Sequence, residues 1–176
     1  MIKKQYLFVF ALALFSCNQR KESEANTDLL YFDVKGYFKK EISRLQKQKP
    51  IVNKMVIVNG ASENKALVIQ DWNKELSVFI DADINKTSWK GSFQTSKNNL
   101  EENYTSSNKK IPVKSIRVEK DGARIKKVEI FIANKNILYT SNDTLVYYPD
   151  SLYQIKKQQK IKLLEPKKYI ITGKIR

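Results

Sequence analysis

The chain contains no histidine and a single cysteine, Cys17. Without an imidazole there is no Ser-His-Asp triad, no Cys-His dyad and no histidine-ligated zinc or iron. One thiol cannot close a disulfide within the chain. Long apolar runs are missing too. The run at residues 6–15 is about half of the roughly 20 residues that a bilayer-spanning helix needs, and no later stretch approaches that length. There is no internal repeat and no low-complexity tract. Acids are scarce in the second half: residues 104–176 hold 17 Lys/Arg against 6 Asp/Glu, whereas residues 17–103 hold 14 against 12. These absences leave carboxylate-only or lysine-based catalysis open, and the basic half invites an anionic partner.

The start of the chain is the most specific stretch. Lys3 and Lys4 precede the apolar run, which closes on Leu14-Phe15-Ser16-Cys17. A charged start, a short apolar middle and a small residue before the cut form a secretory signal. The Cys directly after the small residue resembles the lipobox of bacterial lipoproteins. That resemblance implies cleavage before Cys17, acylation of Cys17 (palmitate among the acyl chains) and attachment to a membrane of the cell envelope. Asn18 rather than Asp after the cysteine implies the outer membrane. An exported chain seldom meets nucleic acid, so the expected partners are the membrane itself, an anionic envelope surface or another envelope protein.

The expected organisation is a signal peptide at 1–16, a lipid-anchored flexible tether at 17–28 and one domain at 29–176. The tether is almost devoid of apolar residues. The domain is large enough to bury about 70% of its unfolded surface.

Along the domain, Val34, Tyr37, Phe38, Ile42 and Leu45 recur at helical spacing and predict a helix over 33–47, ended by Pro50. Residues 51–58 and 66–69 read as strands around a loop at Asn59-Gly60 and Ser62-Glu63-Asn64. Asp71 caps a second expected helix, with Trp72, Leu76, Phe79 and Ile80 as its stripe, fading by Asn85. Strands are then expected at 89–95, 103–106, 113–120, 123–133, 137–140, 145–148, 152–157, 160–164 and 168–175. The breaks include Asp121-Gly122, Asn142-Asp143 and Pro149-Asp150. A hairpin on Asp121-Gly122 would face Glu119 with Arg124, and it needs a β-bulge at Lys126-Lys127 to keep Val128, Ile130 and Ile132 inside. The fold class is α+β: two N-terminal helices packed on a strongly bent antiparallel β-meander. A curled sheet of that kind resembles the open barrels of periplasmic lipoprotein carriers, in architecture alone.

Candidate chemistry is sparse. Asp81-Ala-Asp83-Ile-Asn85 opens like a calcium loop but has Lys86 where Gly is required and Ser92 where a bidentate Glu is required. Asp71, Glu75, Asp81 and Asp83 are the acids available for glycoside hydrolysis. Trp72, Trp89, Phe93 and Tyr104 are candidates for a platform that stacks on sugar rings, as are the tyrosines near Pro149, but aromatics at such positions read as core. Tyr147, Tyr148 and Tyr153 flank a turn, with Tyr148 and Tyr153 the more exposed candidates. Lys156, Lys157, Lys160, Lys162, Lys167 and Lys168 form the candidate anion-binding cluster, with Lys160 and Lys162 on the outer face of a strand and Ile161 and Leu163 on its inner face. An exposed-edge role against aggregation is the rival reading. Asp143-Thr144-Leu145 and Asp150-Ser151-Leu152 resemble the O-glycosylation sequon of some exported bacterial proteins, which implies sugar at Thr144 or Ser151. No catalytic residue, metal or cofactor is expected. The function expected is a non-catalytic, membrane-anchored binding or scaffold domain. The alternatives are a carrier of a hydrophobic ligand and a carboxylate-dependent hydrolase of envelope polysaccharide.

The anchor makes a direct prediction. Radiolabelled palmitate supplied to growing cells labels the chain, and the label disappears in Cys17→Ser. Label retained by Cys17→Ser would contradict the lipobox reading.

Overall fold

The computed structural model describes residues 29–176. The expected signal peptide, Cys17 anchor and tether lie outside the described residues.

Helix α1 (Val34–Gln48) starts where Asp33 accepts a hydrogen bond from the Gly36 N–H at 2.7 Å and stops at Lys49, which turns left-handed ahead of Pro50. Its stripe of Val34, Phe38, Ile42 and Leu45 is buried, the pattern of a helix with one apolar face. Strands β1 (Ile51–Val58) and β2 (Ala61–Val68) follow. Positive φ at both Asn59 and Gly60 makes their connection a two-residue type I′ turn,. Ser62, Glu63 and Asn64 belong to β2 rather than to a loop, because the tight turn lets them pair with Ile57, Val56 and Met55.

The second expected helix does not form as one element. It divides into α2 (Trp72–Glu75) and α3 (Ser77–Asp81), broken at Leu76, whose φ of −105° and ψ of 11° leave the helical region. Trp72, Leu76 and Phe79 still reach the core. A two-helix N-terminal layer is therefore replaced by one long helix and two single turns. The strand expected at 89–95 is likewise a 3₁₀ turn at Thr87–Trp89 followed by β3 (Gln94–Lys97).

The remaining strands are β4 (Glu101–Thr105), β5 (Val113–Asp121), β6 (Arg124–Lys135), β7 (Tyr139–Tyr148), β8 (Leu152–Ile161) and β9 (Lys167–Ile175). With β1 and β2 they make one open antiparallel sheet in the order β2-β1-β9-β8-β7-β6-β5-β4-β3. The β1–β9 pairing is the one neighbour relation between strands not consecutive in sequence. It ties the first hairpin to the last strand of a seven-strand meander.

Two sequence readings change inside the meander. The β5–β6 loop is Gly122-Ala123, not Asp121-Gly122, because Asp121 pairs with Arg124. Gly122 alone takes positive φ there, which places glycine at the first central position, as a type II′ turn demands. The bulge does fall at Lys126, between the Lys120–Ile125 and Glu119–Lys127 pairs. With the turn moved by one residue, Glu119 faces Lys127 rather than Arg124, and the bulge puts Val118 opposite Val128 and Ile116 opposite Ile130. Asn142-Asp143 is not a break: β7 runs through it, since Asp143 sits opposite Lys157 and accepts from the Ser141 hydroxyl at 3.1 Å.

The core lies on one face of the sheet. Phe38 stacks on Phe79 at 4.6 Å, and both meet Tyr147 edge-on. Tyr147 and Tyr153 are cross-strand partners on β7 and β8, and both are fully buried. Tyr153 lies across Gly173, its partner on β9. A Cβ at Gly173 would come within 2.2 Å of the Tyr153 ring. Gly173→Ala therefore displaces the ring and lowers unfolding free energy by about 1–3 kcal/mol, the usual cost of overpacking a core. Urea denaturation measures it, and an unchanged midpoint would contradict the contact.

Candidate functional site

Helices α1 and α2 are each moored to the sheet by a tyrosine hydroxyl. Tyr147 donates to Glu41 of α1 at 2.6 Å, and Tyr153 donates to Glu75 of α2 at 2.6 Å. Arg44 pairs with the same Glu41 at 2.8 Å and reaches Asp150 in the β7–β8 turn at 2.5 Å. Lys54 of β1 pairs with Glu75 at 2.7 Å. Burial, then the hydrogen bond to Glu41, pushes the Tyr147 phenol well above its ordinary value; burial and Glu75 do the same to Tyr153. At the other side of the sheet, burial would raise Glu102, but hydrogen bonds from Lys120 and Tyr104 outweigh it and hold the carboxyl below its ordinary value.

Three of the four acids considered for hydrolysis are engaged in contacts within the fold. Asp71 caps α2 through the Lys74 N–H at 3.1 Å, Glu75 is held by Tyr153 and Lys54, Asp83 accepts from the Asn85 N–H at 3.0 Å, and Asp81 is exposed. Among the described residues no group of three acidic side chains is placed to hold a metal ion. Trp72, Phe93 and Tyr104 are buried, as expected of core. Tyr153 is buried as well, against the expectation of exposure, because its ring fills the space above Gly173. Tyr148 is 37% exposed. Thr144 lies within β7, away from any turn, while Ser151 sits in the exposed β7–β8 turn.

A groove of about 580 Å³ opens between α2–α3 and the sheet. Ile155 and Ile171 line it with Leu67 and Val78, and Asp143 and Lys157 lie beside them. Asp143 is the one charged residue that is buried among the described residues, and Lys157 stands 3.6 Å from it.

The six lysines expected as a cluster are not on one surface. Strand alternation puts Lys156, Lys160 and Lys168 on the face away from the helices, and Lys157 and Lys167 on the helix-bearing side,. β8 ends at Ile161, so Lys162 belongs to the turn, and Leu163 points into solvent rather than into the core. Lys160 and Lys168 do meet, across a recess of about 310 Å³ lined also by Thr140, Asn142 and Gln158. Among the described residues, Lys157 is the one member of the six that joins an ion pair.

Sequence reasoning missed the neighbouring turns. The β6–β7 and β8–β9 connections lie side by side, joined by a 2.8 Å hydrogen bond from the Lys162 N–H to the Leu138 carbonyl. The strand expected at 137–140 does not include Ile137 and Leu138. They are instead a loop, shaped by Asn136, whose side chain accepts from the N–H groups of Leu138 and Tyr139. Among the described residues no helix is long and apolar enough to cross a membrane. Comparison with known protein families, curated proteins and solved structures yields no match.

The two moored phenols give a pH dependence. Unfolded tyrosine ionises near pH 10, whereas the folded phenols keep their protons to higher pH. Above that pH the native state holds more protons than the unfolded state. Their contribution is therefore complete below about pH 10 and is lost as pH rises beyond it. The urea midpoint falls above about pH 10, and less steeply in the Tyr147→Phe/Tyr153→Phe double variant. An equal fall in both proteins would contradict the assignment.

Proposed function

We propose that this chain is a non-catalytic binding domain of the bacterial cell envelope, tethered through acylated Cys17, which meets an anionic surface through the lysine-rich end of its sheet. The observation that carries this reading is the set of lysines free of ion pairs at that end. Lys160, Lys162, Lys167 and Lys168 have no acidic partner among the described residues, whereas Glu101, Glu102, Glu119 and Glu129 are each paired. Fixed cations without fixed counter-ions attract mobile or surface-bound anions.

The interior favours this over the alternatives. A carrier built on a strongly bent sheet needs an empty chamber, and here Phe38, Phe79, Tyr147 and Trp72 fill the space beneath the helices. A hydrolase needs two carboxylates free to act across a cleft, and Glu75, beside the groove, is already held by Lys54 and Tyr153.

Among the described residues the core runs from Tyr31 to Ile175, and a chain that begins at Asn18 keeps all of these while lacking the proposed anchor. Such a chain is retained by phosphatidylglycerol vesicles and not by phosphatidylcholine vesicles. Retention drops steeply between about 50 and 300 mM salt, as screened charge contacts do. Replacing Lys160, Lys162 and Lys168 with Glu abolishes it. Absent or salt-independent retention would defeat the reading.

A further inference from the structure

We infer that the paired β6–β7 and β8–β9 turns form a tip that inserts into the interfacial layer of an anionic phospholipid bilayer. This rests on the reading that the lysine-rich end meets an anionic surface, and it identifies that surface.

The tip presents four large aliphatic side chains to water. Ile137 is 89% exposed, Leu138 67%, Leu163 95% and Leu164 58%. No other pair of adjacent turns among the described residues exposes large aliphatics from both members. Single exposed leucines are ordinary, but a contiguous apolar patch on a soluble surface marks a contact site. The patch is contiguous here because the backbones of the two turns are bonded through Lys162 and Leu138, and Tyr139 pairs with Ile161 directly behind them.

The backbone holds the leucines outward. Leu163 has a φ of 69°, in the left-handed region that bulky side chains seldom adopt. The Leu164 N–H bonds back to the Ile161 carbonyl at 3.1 Å, closing the turn with both leucines outside it.

Charge selects the occupant. Lys135, Lys160, Lys162 and Lys167 flank the aliphatic residues, against one acid in these turns, Glu165. None of these four lysines is in an ion pair among the described residues. An apolar point ringed by cations matches a bilayer whose acyl region lies beneath anionic head groups. A protein partner would need a deep acidic-rimmed pocket to satisfy the same pattern. The tip also projects from the strand ends opposite the Arg44–Asp150 contact, so insertion leaves the mooring of α1 undisturbed.

The chain that begins at Asn18 has no cysteine, so Leu163→Cys takes a single environment-sensitive fluorophore. With phosphatidylglycerol vesicles its emission shifts to the blue and is quenched by a spin label placed at shallow lipid depth. The same fluorophore at Ala123→Cys, at the far end of the sheet, keeps a water-like spectrum. Replacing Ile137, Leu138, Leu163 and Leu164 together with Ser weakens vesicle retention at least about tenfold. Its thermal midpoint stays unchanged, because these side chains lie outside the core. If salt-dependent retention persists at full strength in that variant, with a water-like probe at position 163, insertion is overturned while the electrostatic reading stands. If retention is absent altogether, that reading fails. A blue shift produced by lipid-free envelope protein and not by vesicles would assign the tip to a protein and overturn the lipid assignment.

Discussion

The architecture depends on two bonds from buried phenols to half-buried carboxylates. A nine-stranded open sheet has two faces, and something must decide which one is covered and where. Tyr147 and Tyr153, opposite one another on β7 and β8, stand up from one face and hold Glu41 and Glu75 at 2.6 Å each. A hydrogen bond to a charged acceptor contributes about 1.5–3 kcal/mol, but its positional effect matters more. A half-buried carboxylate is stabilised where its donors are, so α1 and α2 are held where the Glu41 and Glu75 oxygens are satisfied. Gly173 is the complement of this arrangement, since the Tyr153 ring occupies the volume a side chain would need.

This mooring gives the molecule two unlike ends. The helical segments, the β7–β8 turn and the Arg44–Asp150 pair gather at one. At the other, β7, β8 and β9 run out past Ser141 into residues that are half-exposed or exposed, and finish in turns rich in lysine and aliphatic residues. The acids follow the same division. Those on the covered face serve the fold: Glu41 and Glu75 in the moorings, Glu102 with Tyr104 and Lys120. The lysine-rich turns carry only Glu165. Charge left uncompensated in this way is available to a partner, and the tethered reading of the chain supplies one in the membrane.

Much of this was legible in the residues. The α1 stripe and the bulge at Lys126 follow from local periodicity and turn chemistry, which act over a few residues. The misreadings share a cause. Asn142-Asp143 looked like a turn because those residues usually make one; here Lys157 and Ser141, one of them on another strand, keep β7 extended. Leu163 looked like an inward strand position because alternation was carried past Ile161, where the ladder stops. Leu76 looked like the middle of a helix because its stripe continues through it, yet the backbone breaks there while the side chain stays inside. In each, a local pattern was carried past the point where it holds, and at β7 the contact that overrides it, Lys157 opposite Asp143, is distant in sequence. The lysines were visible as a group, but their division between two faces depends on register, and the proximity of the two aliphatic turns depends on a bond between loops.

The central claim is that one end of the sheet, and not its helical face, meets an anionic membrane. Hydrogen exchange of the protein with the proposed acyl anchor at Cys17, compared on phosphatidylglycerol and phosphatidylcholine vesicles, tests this most directly, since such an anchor would hold the protein at both surfaces. The account predicts added protection on the anionic vesicles at residues 136–138 and 162–166, with none at the opposite turns around Gly122 and Asp150. Protection over α1, or equally at both ends, would contradict it.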